Sequence, residues 1–188
     1  MAHRKIRRLV TGHDAQGRSR VADDRDIEPI TTELLPGFAA YRLWGLDERP
    51  TFPDDGSPPH AETWYPPRDG SRFMINVIPP GEPTPHPDLD TAAALAELER
   101  RMPGAMAVQE SDAPGMHTTD SIDYVLVVSG EVTLELDGGE RKALRAGDIV
   151  VQNGTRHAWR NHGAEPCTIV GVAIGADRVR PASAQRSR

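Results

Sequence analysis

The chain has 188 residues, a formal net charge of −6 and a single cysteine, Cys167, so an internal disulfide is excluded. That length suits one domain with added segments and is enough to bury a core without structural metals or disulfides. The acidic balance argues against nucleic acid or anionic membrane as a partner, and the longest apolar runs, 125–128 and 169–174, are too short to cross a bilayer.

The first residues, MAHRKIRRLV, are basic, but no apolar run of signal-peptide length follows them, so a cytoplasmic protein is expected. Residues 1–30 are polar, and RRLVTGHDAQG is read as one short strand with a turn between Gly12 and Gly17. FAAYRLW, residues 38–44, is a predicted strand. Residues 47–70 are rich in Pro, Asp and Gly and predict a surface loop pinned by Trp64 and Tyr65. SRFMINVI, residues 71–78, predicts a strand with Phe73, Ile75 and Val77 on one face, and residues 79–87 form a second Pro-rich loop. Asp90 is an N-cap for a helix over AAALAELERRM, which Pro103-Gly104 ends; Leu95, Leu98 and Met102 share its core-facing side.

AMAVQ, residues 105–109, is read as a short strand, as is 123–129. In 131–137, Val132, Leu134 and Leu136 alternate with Glu131, Thr133, Glu135 and Asp137, the mark of a half-buried strand. Asp137-Gly138-Gly139 is a hairpin signal. Further strands are predicted at 141–144, 148–151, 157–161 and 167–174, with a disordered tail over 177–188. Short strands at regular spacing, with 17 Gly and 17 Pro, predict an all-β fold of the jelly-roll type carrying one helix. The division expected is an N-terminal extension over 1–104, with early strands, loops and the helix, and a barrel core over 105–176.

GMHTTDSIDYVLVVSGE and AGDIVVQNGTRHAWRN resemble the two sequence motifs of the cupin superfamily. In the first, His117 fills the first histidine position, Thr119 stands where the second histidine would be, Asp123 replaces the glutamate and Gly130 matches the closing glycine. The leading glycine is replaced by Ser111. In the second, Gly147, Gly154, His157 and Asn161 match, with Gln152 in place of the proline. The resemblance covers 115–161, and RRLVTGHDAQG, HTTDSIDY and QNGTRHAWRN further resemble a group of small bacterial and fungal single-domain cupins. It implies a double-stranded β-helix, a homodimer and a divalent transition metal (Fe, Mn, Ni or Zn).

The residues themselves carry a compatible reading. In an extended chain His117, Thr119, Ser121 and Asp123 point to one face, and His157, Trp159 and Asn161 share another. Pairing these strands brings two imidazoles and one carboxylate together, a set that leaves open positions on a bound ion. His117, Asp123 and His157 are therefore the candidate metal and catalytic residues, with Thr119, Ser121, Gln152 and Trp159 lining the pocket. The alternative is a metal-free pocket in which a His–Asp pair acts as general base. Tyr124 has the opposite parity and should face outward. His13, His60, His86 and His162 sit in loops and turns, and Cys167 reads as a small buried hydrophobe.

Two functions follow from this reading. One is a metal-dependent enzyme acting on a small carbonyl or acidic organic molecule by dehydration, decarboxylation, isomerisation or oxygenation. The other is a small-molecule-binding protein with a degenerate metal site. A sensor role is disfavoured, because no helix-turn-helix pattern or basic arm accompanies the barrel.

Overall fold

A hairpin rather than a single strand opens the chain in the computed structural model, which describes residues 4–179. Strand β1 (Ile6–His13) pairs antiparallel with β2 (Ser19–Ile27). The composition of SRVADDRDI hides β2, because its acidic side chains are turned to ion pairs with β1 rather than to a core. Arg7 binds Asp24 at 2.6 Å and Arg8 binds Asp23 at 2.6 Å.

Two sheets face each other behind this hairpin. The larger has the order β3 (Ala39–Leu46), β4 (Ser71–Ile78), β10 (Cys167–Gly175), β5 (Ser121–Ser129), β8 (Ile149–Asn153). The smaller has the order β7 (Arg141–Arg145), β6 (Glu131–Leu136), β9 (His157–Arg160). Every pairing is antiparallel. The named strands form two facing sheets and not an unbroken ring, the double-sheet solution of a jelly roll.

The period-2 pattern of β6 has the expected result: Val132 and Leu134 are buried. Val132 packs with Val125, Val127, Cys167 and Ile169 between the sheets. Gly130 makes the β5–β6 turn at φ +75°, and a Cβ there would lie 2.6 Å from the Pro166 carbonyl oxygen, so only glycine fits. Strand β3 joins its own sheet, and Ile6 and Ile27 of the hairpin pack on Ala39, Tyr41 and Leu43. The N-terminal segment thus covers one end of its own sheet.

Helix α1 (Thr91–Arg101) is capped by Asp90, whose carboxylate accepts from the Ala93 N–H at 3.0 Å. Ala94, Leu98 and Met102 face the core, while Leu95 is exposed. Leu98 and Met102 meet Trp64 and Met74 as expected, and Ala94 takes the place expected of Leu95, because Ala94, Leu98 and Met102 at i, i+4, i+8 share one face. Asp90→Ala is expected to destabilise the protein by about 1 kcal/mol, with Asp90→Asn near neutral, as read by urea unfolding.

Residues 105–109 do not form the predicted strand. Met106–Val108 is a short 3₁₀ turn, continuing the reversal that Pro103 and Gly104 impose, and only Gln109 pairs, with His117. At the other end, Arg178 is not part of a loose tail. It binds Asp120 and donates to the carbonyls of Thr119 and Gly154 at 2.8 Å each. Residues 180–188 of the expected tail lie outside the described residues.

Candidate functional site

His117 and His157 are joined by backbone before their side chains meet. The His117 N–H donates to the His157 carbonyl at 2.9 Å, and the His157 N–H returns a bond of 3.0 Å to the His117 carbonyl. Residues directly opposite in an antiparallel pair project to the same face. The imidazole centroids accordingly lie 4.3 Å apart, tilted by 50°. This juxtaposition was legible in the sequence.

Each ring is fixed by its own turn. His117 Nδ1 lies 3.0 Å from the Gly115 carbonyl oxygen and His157 Nδ1 lies 2.9 Å from that of Thr155. A carbonyl only accepts, so both Nδ1 atoms carry the proton and both Nε2 atoms keep a lone pair. Gln152 is buried beneath this turn and donates its Nε2 to the Thr155 carbonyl at 3.1 Å and to the Thr155 hydroxyl. Expected as pocket lining, Gln152 instead supports the turn that orients His157. Trp159 stands edge-on to His157 at 5.9 Å and packs into the inter-sheet core.

A hydroxyl relay leads from Thr119 to the carboxylate. Thr119 and Ser121 are buried; Ser121 Oγ lies 3.0 Å from Thr119 Oγ1 and donates to Asp123 Oδ1 at 2.6 Å. Asn161, on the motif's final position, is saturated. Its Nδ2 donates to the carbonyls of Ile78 and Glu165, and its Oδ1 accepts from the Gly163 N–H at 2.9 Å. Asn161 therefore closes a turn.

Burial sets the charge of this cluster. Desolvation, aided by the neighbouring His157, lowers the His117 pKa from 6.5 to about 4 against the opposing pull of the Gly115 bond and Asp123. Desolvation also lowers His157, and it raises Asp123 although the Ser121 bond and His117 favour its ionised form. The imidazole pair is neutral at pH 7.

These shifts have a sign that can be measured. Between pH 6.5 and about 4 the unfolded chain binds a proton at His117 that the folded chain refuses, so stability falls as pH drops through this window. The expected loss is on the order of 2 kcal/mol. Asp123 opposes it, since its raised folded pKa makes the buried carboxylate less unfavourable as pH falls. NMR titration of the histidine rings should place the His117 midpoint near 4. A midpoint near 6.5 would show an open, hydrated ring.

Tyr65 is a member of this cluster that the sequence reading treated only as a loop pin. Its ring stacks against His117 at 6.4 Å and 30°, and burial together with the Asp123 charge pushes its phenol pKa up. It arrives on the 47–70 loop, which has no strand or helix periodicity to reveal where a side chain ends up. By contrast His60, His86 and His162 are exposed, and His13 bonds to Asp54 at the hairpin. Tyr124 faces outward and Cys167 is fully buried, both as expected; burial raises the thiol pKa to about 11. Two surface clefts, of about 580 and 290 Å³, lie outside the imidazole cluster, the first against helix α1 and the second beside Arg178.

The expected three-ligand metal centre is not assembled. Among the described residues no group of three or more His, Cys, Asp or Glu side chains is placed to hold an ion. The donor chemistry accounts for this. Thr119 offers a hydroxyl where an imidazole would ligate, and Asp123 is bound to Ser121. The two imidazoles keep free Nε2 atoms, and Asp123, near enough to act on the His117 charge, is engaged by the Ser121 hydroxyl.

A family model described as Cupin domain matches residues 104–173. A cupin-domain-containing oxidoreductase, srdB of Neurospora crassa, is 36% identical over 159 residues, covering 82% of this chain and 65% of its own length. A second from that organism, srdD, is 28% identical over 137 residues, covering 63% of this chain and 69% of its own. Phomopsin biosynthesis cluster protein C' of Diaporthe leptostromiformis is 48% identical over 65 residues, 32% of this chain. The matched stretch spans about a third of that relative's length, 34%. A Cupin 2 conserved barrel domain protein from Salinispora arenicola CNS-205 aligns over 82% of this chain and 92% of its own, with TM-score 0.43 and 18% identity.

Proposed function

The chain belongs to the cupin superfamily, and from that premise we propose that it is an enzyme whose reacting centre is the His117–His157 pair, acting on a small carbonyl or acidic organic molecule. One observation carries this reading. Two adjacent imidazoles are held neutral, each anchored through Nδ1 and each keeping its Nε2 lone pair, beside a carboxyl and a phenol. Buried polar side chains gathered in this way, with perturbed pKa values, are the mark of a functional site rather than of a core.

The chemistry open to these residues is proton transfer. A neutral Nε2 accepts a proton from a carbon or oxygen acid. His117 is the better candidate base, because His157 is almost fully buried and is held by the Gln152–Thr155 turn. Asp123, one hydroxyl away from Thr119, stabilises the imidazolium that results. Tyr65 offers an O–H toward a substrate oxygen. The described residues as placed do not make a three-ligand metal centre. The names of srdB and srdD are those of oxidoreductases; in a reaction of that type these residues would supply proton removal, and the two electrons would pass to an external acceptor such as dioxygen.

The test uses small 2-oxo acids, hydroxy acids and phenols, first by thermal shift for binding and then by NMR in D₂O for proton exchange or turnover. The reading expects exchange or turnover by the native protein that survives removal of metals by chelation. Binding without either outcome would leave a non-catalytic binding protein. Turnover lost on chelation and restored by a stoichiometric transition metal would establish the metal-dependent alternative held by His117, Asp123 and His157. Elemental analysis of the native protein and His157→Ala reads the same distinction without a substrate.

A further inference from the structure

The segment that leaves the last strand crosses the ends of both sequence motifs. Gly175 pairs with Ser121, and beyond it the Ala176 N–H donates to the Asp120 carbonyl at 2.9 Å. Arg178 follows and spreads its guanidinium over three groups. Its Nε binds the Asp120 carboxylate, and its Nη2 donates to the carbonyls of Thr119 and Gly154 at 2.8 Å each. A single nitrogen thus joins the first motif to the second. The junction is tightly packed. Gly154 has φ +57°, and a Cβ there would lie 3.1 Å from Arg178 Nη2 and 3.1 Å from the carbonyl oxygens of Thr119 and Ser121.

The bonded atoms are those that place the site. Thr119 begins the hydroxyl relay that ends on Asp123. Gly154 precedes Thr155, whose carbonyl fixes His157 Nδ1 at 2.9 Å. The turn that orients His157 is therefore held from inside by the buried Gln152 and from outside by Arg178. Bonds from a guanidinium to carbonyls are charge-assisted, and the planar fork fixes their directions. The Arg178 side chain is 36% exposed and that of Asp120 59%, so removing one strands no buried charge on the other. Little stability is at stake in this contact, but the placement of two backbone segments is. We propose that Arg178 is a positioning residue, a clamp that holds the start of the relay against the His157 turn, a role in the reaction that rests on the His117–His157 pair being the reacting centre.

The His157 ring reports the clamp without a substrate. In ¹⁵N–¹H spectra of the native protein its Nδ1–H, bonded to the Thr155 carbonyl, should give a resolved signal in slow exchange with water. Arg178→Ala should shift this signal and speed its exchange by about 10-fold or more, with an unfolding midpoint near the native one. Arg178→Lys keeps the charge but not the fork, and should fall between the two. The cleft of about 290 Å³ beside Arg178 admits a small ion, so guanidinium at millimolar concentration should restore the signal in Arg178→Ala. Arg68→Ala is the control: Arg68 binds Asp177 of the same segment at 3.4 Å on the surface, and its loss should leave the ring signal native. In proton exchange from pyruvate in D₂O, Arg178→Ala should lose roughly 10–100-fold in rate at saturation with KM changed by less than about twofold, since Arg178 orients groups and does not bind substrate. An unchanged His157 signal in Arg178→Ala, or an equal change in Arg68→Ala, would overturn the clamp. A native protein that exchanges no proton from pyruvate, hydroxy acids or phenols would instead overturn the pair as a reacting centre, with the ring spectra of the variants unaffected.

Discussion

Replacing His117 with Gln is expected to lower the rate of proton exchange or turnover by about 10²–10⁴-fold while leaving the fold intact. Gln is close in size, and its amide can still hydrogen-bond to the Gly115 carbonyl that the imidazole now contacts. What it lacks is a basic atom, so substrate binding should change far less than turnover. The same substitution in a non-catalytic binding protein would alter affinity and nothing else. The pH profile separates the roles further. A base that is neutral above about pH 4 gives a rate limited by imidazole protonation only in acid, so the native profile should be flat from pH 6 to 8 on that limb. An acid limb with a midpoint near 6.5 would mean that the reacting ring is hydrated, and the buried pair would lose its claim to the chemistry.

His157→Gln should behave differently, although the two rings are neighbours. His157 lies under the sheet pair and its Nδ1 is held by the turn that Gln152 supports. Its removal also relieves the charge that helps keep His117 neutral. The expected result is a smaller loss of rate with a raised acid-limb midpoint. Equal losses with unchanged profiles would make the pair a single unit, as a shared metal would.

The legible parts of this molecule are those in which local chemistry and tertiary packing agree. Strand β6 alternates because one side meets Cys167 and Ile169 and the other meets solvent. Both motif histidines project to one face because strand pairing requires it. The illegible parts are those in which a distant partner decides. The Arg7 and Arg8 ion pairs make SRVADDRDI a strand although its composition favours a loop. The Pro103-Gly104 reversal continues through Met106–Val108, although apolar residues there suggest a strand. Asp123 has the right parity for a ligand, yet its carboxylate is bound by Ser121, a preference that no spacing rule contains. Tyr65 reaches His117 only because of contacts made on either side of it.

Those contacts can be broken at one point. Asp47→Ala is expected to destabilise the protein by about 3–5 kcal/mol, the penalty for leaving a buried charge without its counter-ion. Arg72 is completely buried, and Asp47 lies 2.5 Å from its Nη2. The remaining guanidinium bonds go to the neutral carbonyls of Thr63, Leu46 and Ser71. Arg72→Met in the Asp47→Ala background should recover much of the loss, because an apolar side chain of similar length removes the stranded charge. Its recovery would nonetheless be incomplete at the site. The Thr63 carbonyl accepts from Arg72 at 2.9 Å and from Arg42 at 2.7 Å, Trp64 plugs the core beneath the Arg42 guanidinium, and Tyr65 follows directly. Losing Arg72 loosens the anchor that delivers the phenol ring to His117. The double variant should therefore regain its unfolding midpoint in urea yet keep a reduced rate at saturating substrate. Full recovery of both would show that Tyr65 is held by Trp64 and Arg42 alone.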